Sequence, residues 1–146
     1  MTPSSNPLLS RIKGLFIVVI GVVLLVICGY LALDRHTFLS SAHKAPGIVK
    51  SLNAGGSHPQ IEFTSSAGKV VSYPQGGMIF GYKTGQAVDV YYREEDPAMT
   101  PEIDDFGALW GASILMGVLG VAFVLGGAGE AFSWRKKNAP PSIKGI

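Results

Sequence analysis

The stretch GLFIVVIGVVLLVICGYLAL, Gly14 to Leu33, contains no charged side chain. A helix rising ~1.5 Å per residue needs ~20 apolar residues to cross ~30 Å of hydrocarbon, which is the length of this run. Fourteen of its side chains are Leu, Ile, Val or Phe. At roughly −0.3 to −0.6 kcal/mol each they favour insertion by about 4 to 8 kcal/mol. The run also exceeds the usual apolar stretch of a secretory signal, so it reads as a retained anchor. A second uncharged block, FGALWGASILMGVLGVAFVLGGA, runs from Phe106 to Ala128. Its ten Leu, Ile, Val and Phe side chains are diluted by Gly107, Gly111, Gly117, Gly120, Gly126 and Gly127. The same sum gives about 3 to 6 kcal/mol in favour of insertion. The expected fold class is an α+β membrane protein, two transmembrane helices bracketing a small extracytoplasmic antiparallel β-barrel-like domain.

Composition agrees with that reading. Of 146 residues 47% are apolar and only 15% charged, which is unlike an ordinary soluble domain. Arg11 and Lys13 precede the first block, and Arg135, Lys136, Lys137 and Lys144 follow the second. Between the blocks six basic residues face nine acidic ones, and of the basic ones only Arg35 and Lys44 lie close to the first span. Positive residues near a span mark the cytoplasmic side. The expected location is therefore a bacterial inner membrane, multi-pass, with both termini cytoplasmic. The expected segments are a tail over 1–13, a span over 14–33, a β domain with linkers over 34–99, a second spanning helix within 100–132, and a tail over 133–146. The lone Cys28 allows no internal disulfide.

From Gly47 to Arg93 the apolar period changes to two, with turn residues every eight to twelve positions. Strands are expected at Gly47 to Leu52, Gln60 to Thr64, Lys69 to Tyr73 and Ala87 to Arg93. In the last of these Val88, Val90 and Tyr92 point inward. Closure into a barrel would remove the free edges that such a small domain can ill cover. Pro46 is expected to stop a prolongation of the first helix. Thr100-Pro101-Glu102 predicts a helix start, with Thr100 as N-cap, Pro101 at the first position and acids near the positive end of the dipole.

The spacing Gly47-x-Val49, Pro59-x-Ile61-x-Phe63, Gly68, then Gly85-x-x-Val88-x-Val90-x-Tyr92 before Asp96-Pro97 resembles the bacterial membrane proteins grouped as domain of unknown function family 3592. The resemblance covers about Ala45 to Pro97 with the flanking helices. It implies an extracytoplasmic β domain between two helices and implies no activity.

Little in the sequence points to chemistry. His36 and His43 are seven apart, but no cysteine or second carboxylate sits at ligand spacing, so no metal is expected. There is no phosphate loop, nucleophile elbow or zinc-protease motif. No catalytic residue, cofactor or nucleic-acid partner is expected, and the chain reads as a non-enzyme. The acidic run from Glu94 to Asp105 reads as a stiff, solvated linker. Glu130 is an ionisable group at the cytoplasmic boundary of the second span, where snorkelling or ion pairing accounts for it.

Interaction signals are clearer. Met78-Ile79-Phe80, with Tyr82, is an apolar segment flanked by glycines that interrupts the strand pattern. It reads as a partner or membrane contact, or as a plug for one barrel end. Gly14, Gly21 and Gly29 share one face of the first helix, and Gly107 and Gly111 sit at the outer end of the second, as small residues do where helices approach closely. Such seams serve packing within the chain or a homo-oligomer. Membrane lipid and a protein partner are the expected contacts. The leading functional expectation is an accessory or scaffold subunit of an envelope complex. The alternatives are an immunity protein neutralising a membrane-active or periplasm-acting toxin, and a small-ligand or ion sensor using the acidic run.

Overall fold

The structure is a computed structural model and describes residues 7–56 and 58–137, with side chains for all of these except Pro7, Ala54 and residues 132–137. The expected tails at 1–6 and 138–146, and the side chains of Arg135, Lys136 and Lys137, lie outside the described residues. The chain forms two compact units, Met1–Ile27 with Met116–Ile146, and Cys28–Leu115.

Two long helices bracket an antiparallel sheet. Helix α1 spans Pro7–Ser41 and α2 spans Phe106–Lys137. Both are long and apolar enough to cross a membrane by length and composition. Pro7 opens α1, where its missing N–H costs nothing. At the other end the Ser40 and Ser41 hydroxyls donate back to the Thr37 carbonyl at 2.8 and 3.3 Å, local side-chain pairing of the kind that competes with further helix. The helix ends at Ser41, before Pro46.

In the first unit, glycines bring the two helices together. A methyl group on Gly21 would stand 2.7 Å from the Val124 nitrogen and 2.8 Å from the Gly120 carbonyl oxygen. One on Gly14 would stand 3.1 Å from the Gly127 carbonyl oxygen. Two of the three expected seam glycines thus lie at the contact, joined by Gly120 and Gly127 of α2. Gly29, in the second unit, has open space around it.

In the second unit, strands β1 (His43–Asn53), β2 (His58–Thr64), β3 (Val70–Pro74), β4 (Ala87–Tyr92) and β5 (Glu102–Ile103) form one sheet in the order β3-β2-β1-β4-β5. Pro46 lies inside β1 rather than ending a helix. The pairing of β1 with β2 begins only at Gly47, so at Pro46 the strand has only Asp89 of β4 beside it and a residue without an N–H is tolerated. Gly47 is where β1 becomes central, and a side chain there would press on Val90 at 2.9 Å and the Glu62 carbonyl at 3.1 Å. Gly68 turns β2 into β3 at φ 78°, donating its N–H to the Ser65 carbonyl.

Alternate residues of every strand meet in one core of Val49, Ile61, Phe63, Val71, Tyr73, Val90, Tyr92 and Ile103. Val90 and Ile61 are fully enclosed. The Phe63 ring stands edge-on to Tyr73 at 6.2 Å and tilted against Tyr92 at 5.1 Å.

Two expectations are corrected here. Residues 100–105 do not start the second helix: Glu102–Ile103 pair with Tyr91 and Val90 as β5, and Ile103 is buried. The cap is Asp105, whose Oδ1 accepts from the Gly107 and Ala108 amides at 2.8 and 3.2 Å. Burying Ile103 on Val90 outweighs the local preference of Thr100-Pro101-Glu102 for a helix start. The barrel is also not closed by strand pairing, because two-residue β5 is too short to pair with β3. The result is a half-barrel.

Candidate functional site

Beyond β3 the chain leaves the sheet and crosses to the start of α2. Gln75 is buried and makes four hydrogen bonds: its Oε1 accepts from the Tyr73 hydroxyl (3.0 Å) and the Ile103 amide (2.9 Å), and its Nε2 donates to Glu102 Oε2 (2.6 Å) and the Gly76 carbonyl (2.9 Å). The Met78 amide then donates to the Gly107 carbonyl at 3.3 Å. A side chain on Gly107 would collide with the Met78 carbonyl oxygen, and one on Gly111 would meet Met78 Cβ at 3.1 Å. These two glycines therefore seat a loop on α2. Tyr82 anchors the far side of that loop, donating its hydroxyl to Asp105 Oδ2 at 2.7 Å. Burial, then the neighbouring Asp105 carboxylate, pushes the Tyr82 phenol well above its ordinary pKa, so it stays a donor.

The four residues expected as a contact segment separate. Ile79 is a core residue at 3% exposure, so its assignment to a partner surface is corrected: between Gly77 and Gly81, both at positive φ, its side chain turns into the core of the half-barrel. Phe80 is 84% exposed and Met78 about half exposed, and these two form the accessible apolar pair. Tyr82 is half-buried and structural.

A groove of about 450 Å³ opens between the end of α1 and the segment from Arg93 to Glu102. Its floor is Phe38, buried, with the Arg35 and Arg93 guanidiniums each 5.6 Å from its ring centroid. Arg35 also pairs with Glu102 at 3.2 Å. On the sheet's other face Lys44 bridges Asp89 (3.0 Å) and Asp104 (2.9 Å), and Lys50 meets Glu62 at 3.1 Å. The acidic run is accordingly not a free linker. Glu102, Asp104 and Asp105 are each held by a side chain of the domain, because β5 draws them against it.

Glu130 lies exposed in the first unit. His36 and His43 are exposed, and His43 stacks near Tyr92 at 5.9 Å. Among the described residues no group of three or more His, Cys, Asp or Glu side chains could hold a metal ion. Sequence reasoning missed Gln75 and the Arg35–Phe38–Arg93 stack. Arg35 and Phe38 are three apart on α1 and so share a face, a signal available in the sequence, but nothing local announces that Arg93 joins them.

No family model matches the chain, and no solved structure matches it. A curated protein does: the chain is 43% identical over 149 aligned positions to a Pseudomonas aeruginosa protein named "Immune protein Tsi4", and the alignment covers 99% of each. The shared region thus takes in both long apolar helices and the half-barrel together. With that identity over nearly the whole of both proteins, the chain belongs to the family of the immune protein Tsi4.

Proposed function

We propose that this chain is an immunity protein, held in the inner membrane of its bacterium by two spanning helices with both termini cytoplasmic, that neutralises a protein toxin by binding it. The observation that carries the reading is the 43% identity to an immune protein over 99% of both chains, which takes in the helices and the half-barrel alike. Binding rather than chemistry fits the side chains of the half-barrel, whose carboxylates are engaged in ion pairs and caps rather than grouped around a reacting centre. Two long apolar helices supply lipid contact and hold the half-barrel at the surface where a membrane-active toxin works. The accessory-subunit and sensor readings have no comparable relative behind them.

The test is a mixed culture. A strain deleted for this gene, grown in contact with its intact parent, is expected to lose viability, and a plasmid copy to restore it. Unchanged survival of the deletion strain in contact with a toxin-secreting parent would overturn the proposal.

A further inference from the structure

We infer that the loop carrying Met78 and Phe80 is immersed in the lipid bilayer at its outer boundary, so that the half-barrel is fastened to the membrane surface by Phe80 as well as by the two helices. This rests on the membrane reading above and goes beyond it.

The depth follows from where the loop is seated. The uncharged stretch of α2 from Phe106 to Ala128 holds 23 residues. At ~1.5 Å per residue it is about 34 Å long, close to the ~30 Å of a hydrocarbon core, so little of it can stand outside the bilayer. Met78 packs on Gly107 and Gly111, inside that stretch rather than above it. A backbone segment lying against those residues sits at the outer boundary of the span.

Its chemistry suits that level. Phe80 at 84% exposure, Met78 at 47% and Phe106 of α2 at 69% are large apolar side chains left open by the domain. Large exposed apolar side chains in water are a liability, whereas lipid satisfies them. Tyr30 near the outer end of the uncharged run of α1, and Trp110 one turn into α2, are aromatic residues of the kind that gather at membrane interfaces. Two polar groups of the segment are paired within the domain, the Met78 amide with Gly107 and the Tyr82 hydroxyl with Asp105, and the irregular backbone between them fits the wet boundary of the bilayer rather than its interior. Lys83, exposed just beyond, stands where it can meet lipid phosphates.

Site-directed spin labelling tests this in the full chain, in vesicles of phosphatidylethanolamine and phosphatidylglycerol. With Cys28→Ser as background, labels are placed by Phe80→Cys, by Val118→Cys on an exposed position of α2, and by Ser72→Cys on the exposed side of β3. Phe80 is so exposed that its replacement leaves packing intact. Relaxation by oxygen, which concentrates in lipid, is compared with relaxation by a water-soluble nickel chelate. The expected result is an oxygen-to-nickel ratio at position 80 shifted well above that at position 72 and toward that at position 118. If position 80 matches position 72 while 118 is lipid-like, the loop faces water and the inference fails alone, leaving Phe80 free to meet the toxin. If position 118 is also water-like, the membrane reading fails with it.

Discussion

The Gln75 side chain accepts a hydrogen bond from the Ile103 backbone amide at 2.9 Å and thereby links the two outer edges of the sheet, β3 and β5. The strands are not long enough to pair there, so one buried amide does what a row of ladder hydrogen bonds does in a closed barrel. Because Gln75 also meets Tyr73, Glu102 and the Gly76 carbonyl, its removal leaves several buried polar groups without partners. Each such group costs about 1 to 3 kcal/mol. Gln75→Ala is therefore expected to destabilise the half-barrel by roughly 2 to 4 kcal/mol. Tyr73→Phe, which removes one of these bonds, should cost about 1 kcal/mol. Hydrogen exchange at the Ile103 amide checks the order: protection should fall much further in Gln75→Ala. Equal protection in the two variants would show that the edges are held together by other contacts.

Opposite faces of the same strands should respond differently. Val90 is fully enclosed and Phe63 is 2% exposed, so Val90→Asp or Phe63→Asp buries an unpaired carboxylate at a cost of several kcal/mol. Glu62→Gln removes only the exposed pair with Lys50 and should cost about 0 to 1 kcal/mol. Chemical denaturation in detergent, followed by tyrosine fluorescence, separates the two classes.

The helix contact makes a positional prediction. Gly21→Leu places a side chain against the Val124 and Gly120 backbones and should force the helices apart, lowering the melting temperature and abolishing protection in mixed culture. Gly29→Ala meets open space and should stay within about 1 kcal/mol of the parent or gain slightly from helix propensity. Similar losses in both would place the contact elsewhere.

Acid sensitivity is expected from Glu94. The Ser66 hydroxyl, with the Tyr92 hydroxyl and the Ala67 backbone, holds its carboxyl below the ordinary glutamate pKa. A depressed carboxyl contributes stability that is present above the unfolded-state pKa and lost as pH falls through the folded-state value. The melting temperature should therefore drop as the solution is acidified below the ordinary glutamate range, and Glu94→Gln should flatten that drop while lowering stability at neutral pH. A parallel profile in the variant would remove Glu94 from the account.

Much of the architecture was legible because its signals are local. The uncharged runs from Gly14 and from Phe106 declare two long apolar helices through composition alone, and the alternation of Val88, Val90 and Tyr92 declares a strand and its inward face. Gly14 and Gly21 announce a close helix approach because small side chains permit it, although their partners Gly120 and Gly127 come from the far end of the chain. Tertiary structure alone decided what depends on contacts distant in sequence. Thr100-Pro101-Glu102 carries every local sign of a helix start, yet Ile103 gains more by lying on Val90. Met78-Ile79-Phe80 looks uniform, yet Ile79 turns into the core and Phe80 away from it. Gln75 has no distinguishing neighbours in sequence and becomes the link between sheet edges only when β3 and β5 are brought within one side chain's reach. Periodicity reports which face a residue occupies; burial and hydrogen bonding with residues a dozen or more positions away determine what that face meets.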